Sequence, residues 1–295
     1  MREKKNPLVN MNIDLSPRKS ANPISFEPER KIEKPDELDV KKSKKMAVWI
    51  FDSLIGLSLF MLFFGLPLFF TSFSFQGIIF EKQIYFYFWL FLALISWTAK
   101  GVIIGELYIR KTPLDIPIII FWLIYLLATI FSVDPWHSFW GMFGDPSRGL
   151  VGITALVIAY YVISSNLTFR RINIMLLAIV ISGLTIVLWT LLMLLNIKII
   201  PADWSTYVPF SFMGSFPALG IFISILIPII IMFIFQTKGN KKISSLAKSL
   251  IVAFLIINLS LCLAVSLLLF NYMPWIGLLI GMGIMLIFIL SKVIR

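Results

Sequence analysis

Apolar residues run along this chain in blocks of membrane length, not in the alternation of a strand or the single stripe of a soluble helix. Eight blocks are legible, at 46–72, 84–105, 115–132, 149–166, 173–195, 214–236, 249–271 and 274–292. A bilayer core about 30 Å thick takes roughly 20 apolar residues per helical crossing, so each block predicts one spanning helix. The third block is the shortest. Pro217 blurs the start of the sixth, where Pro217, Gly220 and Pro228 predict either a kink packed among neighbouring helices or a broken helix. Continuous apolar runs exclude a transmembrane β-barrel, which needs alternation. The predicted class is all-α: a polytopic α-helical membrane protein of about eight transmembrane helices.

The polar segments divide the chain. Residues 1–45 mix basic and acidic side chains with prolines and show no apolar periodicity. Such a segment buries too little surface to offset its chain entropy. The expected organisation is a disordered cytoplasmic tail over 1–45 and a transmembrane helical domain over 46–295. Lys41, Lys42, Lys44 and Lys45 abut the first block, where they suit anionic lipid headgroups. Asp52 lies just inside that block and is expected to pair with Lys44 or Lys45.

Charge then orients the blocks. Twelve Lys and Arg precede Met46, eleven lie on the even-numbered connections and the C-terminus, and three (Lys82, Arg148 and Lys198) lie on the odd-numbered connections, which accounts for all 26. By the positive-inside rule both termini face the cytoplasm and the odd connections face outward. The expected location is the cytoplasmic membrane, multi-pass. The net charge of +11 follows from this asymmetry and from attraction to membrane lipids, so it calls for no nucleic acid. Hydrophobic residues make up 59% of the chain against 14% charged, too few charges to cover a soluble domain of this length. The lone Cys262 falls in the seventh block, so there is no disulfide framework or metal-ligand pattern, and packing is its expected role.

Candidate chemistry concentrates in Phe131–Leu150, FSVDPWHSFWGMFGDPSRGL, which carries the only histidine. Arg148 stands at the outer end of the fourth block, beside Asp145. Its guanidinium can fork onto a phosphate or pyrophosphate while a helix N-terminus adds N–H donors; the other reading is an interfacial arginine paired with Asp145. Gly141, Gly144 and Gly149 would let backbone approach a ligand. His137 is either a general acid or base or an interfacial side chain, and Asp134-Pro135 reads as a turn or a capped helix start. Glu81 and Lys82 close the first outer loop, and Lys198 and Asp203 lie in the third. These charges either converge with Arg148 on an anionic headgroup or are solvated singly.

The stretch from Glu81 to Leu150 resembles the N-terminal half of the O-antigen ligase and polymerase family. The resemblance rests on a charged outer segment (FEKQ), a basic inner loop running into Pro-Leu-Asp (RKTPLD), and a short span followed by FSVDPWHSFWG and SRGL. GSFPALGIF is similar to that family's small-residue approach to a later helix, without its usual asparagines. The resemblance implies a GT-C-like enzyme that takes a glycan from an undecaprenyl-pyrophosphate carrier on the outer face and transfers it to an acceptor, without a metal or other cofactor. Arg148 would then be one of the outward arginines near the carrier's phosphates. Family members continue through further spans and a large external loop bearing arginines and a histidine. This chain stops after its eighth block, so the resemblance implies a truncated product, a non-catalytic relative, or a second chain supplying the C-terminal half. Two other readings compete: a transporter or flippase for a lipid-linked or amphipathic substrate, and a non-enzymatic scaffold subunit.

Overall fold

The structure, a computed structural model, describes residues 35–71, 77–143, 145–195, 197, 211–239, 244–269 and 273–294. Contacts separate Met1–Lys42 from Ser43–Arg295. Of the first unit only the opening turns of one helix are described; the helical bundle is the second unit.

Each of the eight apolar blocks contains a helix. In chain order these are α1 (Pro35–Leu68), α2 (Ile78–Ile104), α3 (Asp115–Ile130), the short α4 (Pro135–Trp140), a 3-10 turn (Pro146–Arg148), α5 (Leu150–Asn166), α6 (Phe169–Leu194), α7 (Phe216–Gly239), α8 (Ser245–Leu268) and α9 (Met273–Ile294). Among the described residues there is no strand, only an isolated bridge between Met142 and Asp145. Among the described residues, five stretches are long and apolar enough to cross a membrane: Lys42–Leu68, Ile78–Ile104, Phe169–Leu194, Phe216–Gly239 and Ser245–Leu268. Asp115–Ile130, Leu150–Asn166 and Pro274–Ile287 are shorter apolar helices. The protein is an all-α, multi-pass membrane protein.

Three helix boundaries differ from the sequence expectation. α1 reaches back past Met46 to Pro35; proline is tolerated in a first turn, and the Glu, Leu and Lys after it are good helix formers. α2 begins at Ile78, so Glu81 and Lys82 belong to its first turns and do not close a loop. Both charges are satisfied there. The Glu81 carboxylate accepts from the Thr71 backbone N–H at 3.0 Å, and Lys82 Nζ donates to the carbonyls of Leu66 and Pro67 at 2.6 and 2.7 Å. α7 is one continuous helix with Pro217 in its first turn, where no N–H is needed, and Pro228 inside it. α9 meets it through small surfaces. A Cβ on Gly277 would stand 3.0 Å from Ser224 Cβ, and one on Gly281 would stand 3.1 Å from Pro228 Cγ. Helices in lipid gain from such close backbone approach.

Two packed clusters share α6. Ile55, Leu59 and Leu62 of α1 pack with Ala93 and Trp97 of α2, Val162 of α5 and Met175 of α6. Further along α6, Val180, Ile186 and Val187 join Leu219, Ile223 and Leu226 of α7 and Leu255, Cys262 and Val265 of α8. Buried Asn258 donates to the Val180 carbonyl at 3.4 Å and accepts from Cys262 Sγ at 3.6 Å, so the cysteine is packing, as expected.

Asp52 corrects a sequence expectation. Its partners are Lys100 Nζ on α2, at 2.6 Å, and the Arg171 guanidinium on α6, which also donates to the Asp52 and Asn166 carbonyl oxygens. Lys44 and Lys45 lie about two helical turns away on the same helix, roughly 10–12 Å, beyond side-chain pairing. Lys100 and Arg171 instead approach from neighbouring helices. The cluster therefore marks the end of the bundle where α2 ends and α6 begins. The Lys82 contacts mark the opposite end.

Candidate functional site

Phe131–Leu150 is more ordered than a connecting loop. Pro135 opens α4, and Asp134 caps it by accepting from the His137 backbone N–H at 3.2 Å. The same carboxylate holds the His137 ring, Nδ1 to Oδ2, at 2.5 Å. That ring hydrogen bond is the main reason the Asp134 carboxyl is held below the ordinary carboxylate range. Ser132 and Ser138 hydroxyls meet at 2.6 Å and tie the approach to α4.

The second half of the segment repeats the device. Asp145 is followed by Pro146 and accepts from the Ser147 backbone N–H and hydroxyl, capping the 3-10 turn. Arg148 returns to it, Nε to Oδ2, at 3.2 Å. Each Asp-Pro pair thus carries a basic side chain three residues after the aspartate and pairs with it. That spacing, DPWH and DPSR, is legible in the sequence and is the signal a residue-by-residue reading passes over. Asp134 as a helix cap and Asp145 as the partner of Arg148 agree with the sequence reading.

Two of the glycines pack against the segment's own backbone. Gly141 has φ +93°, the left-handed region open to glycine, and a Cβ there would lie 2.5 Å from Pro146 Cα. A Cβ on Gly149 would meet Trp140 C at 2.6 Å and Phe139 O at 2.7 Å. Both positions let the segment fold against its own backbone, and Gly141 also lines the cavities described below. Gly144 lies outside the described residues.

This fold leaves Arg148 at the mouth of a cavity. Its side chain is 84% exposed, and its backbone carbonyl is fixed by the Tyr125 hydroxyl. The cavity, about 620 Å³, is lined by Tyr125 and Thr129 of α3, by Asp134, His137 and Ser138, and by Arg148 itself. A second cavity of about 430 Å³ shares His137, Gly141 and Met142 with it and adds Gln83 and Tyr87 of α2 with Trp136 and Trp140. Arg148, Asp145 and His137 are therefore brought together at one end of the bundle. Lys82 is at the same end, but its ammonium is engaged with α1 and lines neither cavity. Lys198 and Asp203 lie outside the described residues.

Sequence reasoning missed the contributions of the spans. Tyr125, Thr129 and Tyr87 lie within apolar blocks, where one hydroxyl scarcely alters the local hydropathy. The helical spacing of Tyr125 and Thr129 places them on one face of α3. Among the described residues no group of three or more His, Cys, Asp and Glu side chains could hold a metal ion. The chain matches no family model, no curated protein and no solved structure.

Proposed function

We propose that the cavity under Arg148 receives the pyrophosphate of a lipid-linked glycan, and that the protein is O-antigen ligase-like, handling glycans from an undecaprenyl-pyrophosphate carrier. The observation that carries this is the geometry of Arg148. Asp145 pairs with its Nε at 3.2 Å, while the exposed head borders a cavity of about 620 Å³ that Asp134, His137 and Ser138 also line. A bidentate guanidinium suits phosphate oxygens better than a point cation does. The resemblance over Glu81–Leu150 supplies the substrate class, and the charge asymmetry supports an outward-facing site with both termini cytoplasmic. All eight apolar helices, α3 and α5 included, are then spans of a GT-C-like bundle.

The chemistry such a site serves is glycosyl transfer. An acceptor hydroxyl attacks the anomeric carbon and gives its proton to a base on the acceptor side, the bond from that carbon to the pyrophosphate oxygen breaks, and the negative charge that collects on the departing pyrophosphate is stabilised by Arg148. His137, held by Asp134, borders the same cavity. The acceptor side of the reaction belongs to residues beyond those described or to a second chain.

Met142 borders both cavities, is 70% exposed, and gives a direct test. In a Met142→Cys variant a membrane-impermeant maleimide should label intact cells, since Cys262 is buried. In proteoliposomes, saturating polyprenyl pyrophosphate should slow that labelling about 5-fold or more, as a ligand of micromolar affinity would. Labelling that needs opened membranes, or labelling indifferent to the lipid, would overturn the reading.

A further inference from the structure

The segment joining α3 to α5 stands level with the first turns of α2. Trp136 and Trp140 line a cavity together with Phe80, Gln83 and Ile84 of α2. α2 is long and apolar enough to cross a membrane, and near its far end Lys100 joins the cluster with Asp52 and Arg171. A bilayer core about 30 Å thick takes roughly 20 helical residues. Counted back from Lys100, that length ends close to Phe80. α4 therefore lies beside residues at that boundary and just inside it.

The flanking helices agree with this depth. α3 has 16 residues and α5 has 17, about 24 and 26 Å of helix. Exposed Arg110 and Lys111 precede α3, and exposed Arg170 follows α5, at the end where Lys100 lies. With those cations in water, the other ends of α3 and α5 stop roughly one helical turn short of the opposite boundary. Tilt would leave them shorter still.

The surface of the segment suits lipid. Phe131, Val133 and Phe143 are each 80% or more exposed, and Trp136 and Trp140 are exposed beside them. Its charges are turned on one another, Asp134 on the His137 ring and Asp145 on Arg148. Lys82, at the same end, turns its ammonium onto the Leu66 and Pro67 carbonyls. Aromatic side chains and paired charges suit the level where headgroups give way to acyl chains, and the exposed head of Arg148 has the reach to snorkel to lipid phosphates.

We infer that residues 131–143 form a membrane-seated foot, whose exposed apolar side chains rest in the leaflet at their end of the bundle and take lipid as their partner. Depth is what commits the surface to lipid in place of a soluble protein. The inference goes beyond the proposed function and stands without it, since neither the depth nor the exposure invokes a pyrophosphate.

The test places a nitroxide at Val133→Cys, at Phe143→Cys and, for comparison, at Lys111→Cys. The full chain is reconstituted at low density in vesicles of phosphatidylethanolamine and phosphatidylglycerol. All three side chains are exposed, so the fold tolerates the changes, and buried Cys262 takes no label. The two collision partners are oxygen, which concentrates in the bilayer, and a nickel chelate, which stays in water. The ratio of oxygen to nickel collisions should be several-fold higher at Val133→Cys and Phe143→Cys than at Lys111→Cys. A ratio at either position as low as at Lys111→Cys would put the segment in water and overturn the inference. Suppression of both collisions would show that protein covers the segment, a second copy included, and would overturn it equally.

Discussion

Replacing Arg148 by alanine is expected to weaken binding of a polyprenyl pyrophosphate by about 10- to 100-fold, the range for removing charge-assisted hydrogen bonds. The side chain is 84% exposed, so solvent and salt screen part of its attraction, and the lower half of that range applies at physiological ionic strength. Arg148→Lys keeps the charge but loses the planar fork and the Nε that Asp145 grips, so an intermediate loss is expected. Overall folding should be unaffected by both, because what the fold requires of Arg148 is its backbone carbonyl, which accepts from Tyr125. Titration in nanodiscs reads the affinities directly. An alanine variant with wild-type affinity would remove Arg148 from the site.

The largest expected effect on stability comes from Asp52. It is the one acidic side chain between Lys100 and Arg171, whose side chains are 24% and 20% exposed. Asp52→Asn keeps the size and removes the charge, leaving two half-buried cations facing each other and an interhelical tie between α1, α2 and α6 broken. Breaking fully buried pairs costs about 3–5 kcal/mol. This cluster is only partly buried, so a loss of roughly 1–3 kcal/mol is expected, the range for hydrogen bonds to charged groups. It should appear as a lower apparent unfolding midpoint in detergent. Lys100→Met should cost less, because the pair between Asp52 and Arg171 survives it. The reverse order, or a midpoint unchanged in Asp52→Asn, would show that the cluster does not tie the helices.

How much of the fold and site is legible in sequence depends on the range of each interaction. Block hydropathy is local, so all eight apolar runs could be matched to helices, with errors at ends where charges intrude. Glu81 and Lys82 read as a loop because a single sequence does not show the α1 terminus that satisfies them. The partners of Asp52 lie 48 and 119 positions away, and nothing local fixes which helix faces meet. Asp134 is readable as a cap because capping acts over two or three residues. The close packing at Gly141 and Gly149 is not legible, for the converse reason. A glycine signals close approach, but not whether a ligand or the chain's own backbone approaches it.

The proposal that this end of the bundle grips a lipid pyrophosphate is tested most directly with the wild-type chain in nanodiscs. Polyprenyl pyrophosphate and the neutral polyprenol of equal chain length are titrated against it at two salt concentrations. Saturable binding of the pyrophosphate, about 10-fold or more tighter than the alcohol and weakening as salt rises, is expected. Equal retention of the two lipids, unchanged by salt, would overturn it.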